Sequence, residues 1–163
     1  MRVLVLAVVL FSALGCSSNK SASDETIYRE GKPPVSAVKD SDPELAAATQ
    51  KAMAELPTFI AECTKELAKA PNQRTLMLSV KSIFVASNGQ KEHMWSEVTG
   101  FKDGVFSCVL GNEPVYVTNV KQGDAVEIKQ SEVEDWIIMD DSGNMRGGYS
   151  AKLLLEREEA KAK

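Results

Sequence analysis

An α+β domain is what the order of periodicities predicts: helical spacing comes first, and strand-like alternation broken by close turns follows it. A composition of 44% hydrophobic and 26% charged residues over 163 positions suits a single globular core. The expected architecture is an N-terminal helix or kinked helix pair on a curved antiparallel sheet of about six strands, with a short C-terminal helix.

The chain starts with Arg2 and an unbroken apolar run from Val3 to Phe11, followed by Ser12-Ala13-Leu14-Gly15-Cys16. A cation, a short apolar stretch and small residues are the parts of a secretory signal peptide. A permanent span takes about 20 apolar residues, so this run is too short to be one. Ala13-Leu14-Gly15-Cys16 resembles a bacterial lipobox, with Ala13 at the position where Leu is usual. The resemblance implies a leader over residues 1–15, acylation of Cys16, and attachment to the membrane through lipid alone. Ser17, where Asp would retain the product at the inner membrane, implies the outer membrane facing the periplasm. Residues 16–40 are small, polar and Pro-containing, and bury too little apolar surface to offset their ordering entropy. They read as a flexible tether; the alternative is that Ile27 and Tyr28 dock as an edge strand.

The folded domain is expected over residues 41–158. Asp42-Pro43-Glu44 combines a capping side chain, a proline suited to the first helical turn and a carboxylate there. Pro57 either kinks this helix or starts a second one. Phe59, Ile60, Cys63 and Leu67 then form an apolar stripe at helical spacing. From Leu76 the period becomes two. Leu76, Leu78 and Val80 alternate with Met77, Ser79 and Lys81, and Asn88-Gly89 is a hairpin signal. Strands are predicted at His93–Val98, Val105–Leu110, Val115–Thr118, Ala125–Lys129 and Trp136–Met139, each flanked by turn residues. Ser150 reads as the cap of a last helix, which frays into a charged tail over 159–163.

Glu92-His93-Met94-Trp95, Gly123-Asp124, Asp135-Trp136 and Gly147-Gly148-Tyr149-Ser150, within Asp42 to Leu155, resemble the YegJ-type bacterial domain of unknown function. The resemblance implies an independent domain and supplies no catalytic residue. Similar sequences stand alone or beside repeat modules such as ankyrin arrays, which implies an accessory or interaction role.

With Cys16 acylated, Cys63 and Cys108 are an even remainder in an oxidising compartment, and thiol parity favours a disulfide over two buried free thiols. His93 and Trp95 share one strand face and Glu92 the other, so Glu92 cannot orient the imidazole. No triad is visible, and His93 and Trp95 stand as binding candidates. Asp135, Trp136, Gly147, Gly148 and Tyr149 form a second group, in which paired glycines before a helix could let its first amides hold an anion.

One histidine and three cysteines are too few for a Cys/His zinc site, and neither a metal nor a cofactor is expected. Nineteen Lys and Arg against 23 Asp and Glu, a net charge of −4, give no attraction to nucleic acid. The reading that follows is a lipid-anchored envelope protein with a non-catalytic binding domain, its partner another envelope protein or peptidoglycan. One alternative is a small envelope hydrolase or transferase using His93 and a carboxylate such as Asp135. Another is an inhibitor or immunity-type protein inserting Asn88-Gly89 or the loop from Asp141 to Gly147.

Overall fold

The computed structural model describes residues 7–11, 25–29, 32–39 and 41–162. The elements are β1 Ala7–Phe11, β2 Glu25–Arg29, β3 Lys32–Lys39, α1 Pro43–Leu67, β4 Leu76–Val85, β5 Lys91–Lys102, β6 Val105–Leu110, β7 Ala125–Lys129, β8 Val133–Asp140, β9 Met145–Gly147 and α2 Tyr149–Lys161. From β4 onward, six antiparallel strands lie in the order β7-β6-β5-β4-β8-β9, and β7 and β9 do not meet to close the sheet. The fold is α+β, as the sequence predicts.

Two N-terminal expectations meet described residues. The stretch read as a tether carries β2 and β3, which pair antiparallel, with β2 at the sheet's edge; this is the docked course for Ile27 and Tyr28. Ala7–Phe11, inside the expected leader, pairs parallel with β3 and antiparallel with Lys91–His93 of β5. Cys16 and its flanking residues lie outside the described residues.

Helix α1 begins as its sequence dictates. Asp42 Oδ1 accepts the N–H of Glu44 at 3.0 Å and of Leu45 at 3.1 Å, and Pro43 occupies the first turn. The helix runs through Pro57 without a break. Its buried stripe of Ala52, Leu56, Phe59 and Cys63 packs against Leu78, Val80, Phe106, Cys108 and Trp136 of the sheet. Phe59 stacks on Trp136 with ring centroids 5.3 Å apart, and the Trp136 indole N–H donates to the Ala52 carbonyl at 2.9 Å. At the other end, buried Glu66 accepts the N–H of Thr75 at 2.5 Å and of Leu76 at 3.0 Å, which ties the start of β4 to the last turn of α1.

Val115–Thr118, expected as a strand, is an irregular stretch between β6 and β7, and the sixth strand of the domain is β9. The cause is Glu92. Its Oε1, buried in β5, accepts the N–H groups of Val115, Tyr116 and Val117, and donors captured by one carboxylate cannot join a ladder.

Cys63 and Cys108 are free thiols, so the bridge expected from thiol parity is not formed. Both lie in the core between α1 and the sheet. Burial pushes the Cys63 thiol up to about 11; burial and then the neighbouring Cys63 push Cys108 up to about 12. Groups held protonated in this way pack as small hydrophobes and are slow nucleophiles.

Candidate functional site

Alternation along β4 and β8 sends Leu78, Val80, Trp136 and Ile138 to α1 and turns Met77, Ser79, Ile137 and Met139 to the opposite face. On that face α2 forms one wall of a groove of about 340 Å3. The sheet contributes Trp95, Met77, Ile137, Met139 and Met145; α2 contributes Ala151, Lys152 and Leu155. Leu155, at 46% exposure, is among the few large apolar side chains open to solvent in the described residues. Three thioethers give the groove a soft, adaptable lining.

Two residues further along three of these strands, and one residue back along α2, the same face turns polar. Ser79 is followed by Lys81, Trp95 is preceded by His93, Ile137 by Asp135, and Ala151 by Ser150. Lys81, Asp135 and Ser150 are all at least 96% buried. Lys81 Nζ donates to Ser150 Oγ at 3.1 Å, while the Ser150 hydroxyl and backbone N–H donate to Asp135 Oδ2 at 2.7 and 2.8 Å. Burial lowers the Lys81 ammonium against the opposing pull of Glu134 and Asp135, and burial raises the Asp135 carboxyl. In this chain of donors the serine proton points to a carboxylate and the lysine donates, so Lys81 is not placed as a base. The arrangement is a closed latch between β4, β8 and α2.

A bulge in β8 shapes this end of the site. Lys81 pairs with Asp135 and Ser82 with Val133, leaving Glu134 as the extra residue. An extra residue re-aims the side chains around it. Glu134 accepts a hydrogen bond from His93 Nδ1, and His93 Nε2 is buried without a partner among the described residues. His93 and Asp135 therefore do not form a pair, since each is engaged elsewhere.

The remaining candidates divide by face. Trp95, 8% exposed, is part of the groove, and its backbone N–H donates to buried Asn112 at 2.5 Å. Trp136 belongs to the core on the α1 side. Gly147 and Gly148 have φ of +71° and +64°, and a Cβ on Gly147 would run into the Trp136 carbonyl and ring, so this turn accepts only glycine there. Ser150 was expected to cap α2 from its own chain end; Gly148 holds that position, and the anion at the helix's first amides is the chain's own Asp135. Tyr149 donates its hydroxyl to Glu55, lies under the Lys51 ammonium at 4.8 Å, and is pushed up to about 12 by burial and then by Glu55. The two loops considered for insertion are tight turns, closed by Gly89 N–H on the Ala86 carbonyl and Gly143 N–H on the Asp140 carbonyl.

Sequence reasoning missed Lys81, Ser150 as a latch residue, Glu134 and the methionine lining. The one visible signal was Glu134-Asp135, two carboxylates in succession just before the apolar run Trp136–Met139. Among the described residues no cluster of His, Cys, Asp and Glu could hold a metal, and no helix is long and apolar enough to cross a membrane.

The uncharacterised protein YegJ of Escherichia coli (strain K12) is 32% identical over 85 residues, which is 48% of this chain and 55% of that protein. The chain thus matches only about half the length of this relative. No solved structure matches it. The family described as an uncharacterised protein conserved in bacteria, DUF2314, matches residues 42–163, and the chain belongs to that family.

Proposed function

We propose that the chain is a lipid-anchored envelope protein of the outer membrane, facing the periplasm, whose domain binds a partner through the methionine-lined groove and catalyses no reaction. The observation that carries the binding half is the contrast between the two ends of the site. The accessible end is apolar, and at the polar end Lys81, Ser150 and Asp135 are bound to one another. A hydrolase of the His93 type needs a nucleophile, a base and an orienting acid converging in a cleft. The groove offers adaptable apolar surface instead, which is how a binding site is built.

The anchoring half rests on residues 1–16 of the sequence. Cleavage before Cys16 would take Ala7–Phe11 out of the sheet and leave β4 to β9 with α1, which together hold the main core.

Two measurements test the reading. Mass spectrometry of the native N-terminal peptide should find Cys16 acylated, and Cys16→Ser should move the protein out of the membrane fraction; an unmodified, mature Cys16 would sink the anchor. Ile137→Asp, which puts a charge on the groove floor, should abolish cross-linking to envelope components with circular dichroism unchanged. Full cross-linking by that variant would sink the groove as the binding surface.

A further inference from the structure

The geometry points to a ligand class for this groove: a single-chain amphiphile with an anionic head group, such as a long-chain carboxylate. The inference deepens the binding reading above and rests on it.

The lining itself argues for hydrocarbon. Met77, Ile137, Met139, Met145, Trp95 and Leu155 offer apolar and thioether surface. An extended peptide laid here would bury N–H and C=O groups against a lining with few partners for them, at a cost for each. On the groove floor it would find no free ladder either, because β8 is already paired with β4 on one side and β9 on the other. A helix satisfies its own backbone but is about 10 Å across, and could offer a groove of this size only its side-chain tips. An acyl chain carries no polar group along its length. The 340 Å3 volume lies near the lower bound of small-molecule sites, which run from roughly 300 to 1,000 Å3, and suits one chain rather than two.

Charge sets the head group. Lys152 stands on the α2 wall, half-buried, with its ammonium 3.4 Å from the Met145 carbonyl and no carboxylate partner among the described residues. The other charged residue of the lining, Glu97, is exposed on the opposite flank. Glu97, Ser79, Ile137 and Gly147 face one another across four neighbouring strands, which at about 4.8 Å per strand separates Glu97 from the β9 side by roughly 14 Å. An anionic head at Lys152 meets a cation that lacks a carboxylate and lies far from Glu97.

The test is isothermal titration of the full chain with laurate below its micellar concentration, beside decanol and dodecyltrimethylammonium. Saturable binding of one laurate per chain is expected. Lys152→Ala should weaken laurate about tenfold while leaving decanol unchanged, as loss of one charge-assisted contact implies. Ile137→Asp should remove both, with circular dichroism confirming the fold. No saturable laurate binding would overturn the inference, as would equal affinity for the cationic amphiphile or an unchanged laurate affinity in Lys152→Ala. A groove buried in a dimer, seen as a larger species that Ile137→Asp dissociates and laurate does not bind, would also overturn it in favour of a second copy. If laurate fails while Ile137→Asp still loses its envelope cross-link, the ligand class falls and the binding reading stands.

Discussion

Ser150 gives both its backbone N–H and its hydroxyl proton to one oxygen of Asp135, so that a residue of β8 caps a helix whose own capping position is a glycine. The same hydroxyl receives Lys81, which makes the start of α2 dependent on a buried charge pair. Removing the carboxylate leaves the Lys81 ammonium without its charge partner inside the protein, at about 3–5 kcal/mol. Asp135→Ala should therefore cost about that much, and Ser150→Ala about 1.5–3 kcal/mol for a hydrogen bond to a charged acceptor. Lys81→Met, which removes the expensive ammonium and leaves Asp135 its three hydrogen-bond donors, should cost least. Urea unfolding followed by circular dichroism ranks the three, and an Asp135→Ala midpoint equal to the parent would refute the latch.

A second tie between the helices predicts acid sensitivity. Arg157 of α2 pairs with Asp42 at the N-terminus of α1, at 2.7 and 3.0 Å, and also reaches Glu44. The Arg157 guanidinium beside Asp42 holds its carboxyl below the usual range, with the N–H groups of Leu45 and Glu44 contributing in the same direction against burial. A carboxylate depressed in the folded state stabilises above its unfolded pKa, about 3.9 for Asp, and that stability is lost as pH falls through the folded value. The midpoint of the parent should thus fall toward that of Arg157→Ala below about pH 4. Parallel pH profiles for the two proteins down to pH 2 would remove this pair as the cause.

The buried thiols give a chemical prediction. With the thiols held at about 11 and about 12, neither Cys63 nor Cys108 forms appreciable thiolate at pH 8. Ellman's reagent should find no reactive thiol at either position in folded protein and both after unfolding. Recovery of a Cys63–Cys108 peptide under non-reducing conditions would contradict the free state of the structure.

The helical stripe, the Asp42 cap and the hydrophobic alternation of β4 were legible because each depends on neighbours in sequence. What the sequence concealed depends on pairing between distant segments. Lys81 sits where alternation predicts an outward, solvated side chain, and only α2 arriving over that face buries it. Glu134 reaches His93 because of a bulge that no local pattern announces. Val115–Thr118 has β-rich composition, yet a carboxylate 23 residues earlier takes its donors. The methionine groove was invisible for a related reason, since Met77, Met139 and Met145 come together only through the register of β4, β8 and β9.

That carboxylate can be tested directly. Glu92→Gln keeps the shape but gives up a charged acceptor for three N–H groups, and Glu92→Ala leaves them without it. Hydrogen exchange at Val115, Tyr116 and Val117 should accelerate in Glu92→Ala and to a lesser degree in Glu92→Gln, ahead of any change in β4 or β8. Protection unchanged at these three amides would mean that the loop is held by something else.

Trp95 joins the stability of the domain to its groove, and its replacement separates the two contributions. The side chain is 8% exposed and lines the groove beside Ile137 and Met77, while its backbone N–H is held by Asn112. Truncating a buried tryptophan costs about 3–5 kcal/mol, so Trp95→Ala should unfold at clearly lower denaturant. His93→Ala should be milder, because among the described residues one imidazole nitrogen has no partner and the other is held by Glu134 alone. Circular dichroism is the better probe, since Trp136 in the core would dominate a fluorescence change. Trp95→Phe distinguishes packing from recognition: an aromatic ring retained in the wall should recover most of the stability, while a smaller ring leaves the groove wider and lowers affinity for its occupant. Equal unfolding midpoints for Trp95→Ala and the parent would show that this side chain does not support the fold, and would leave binding as its only role.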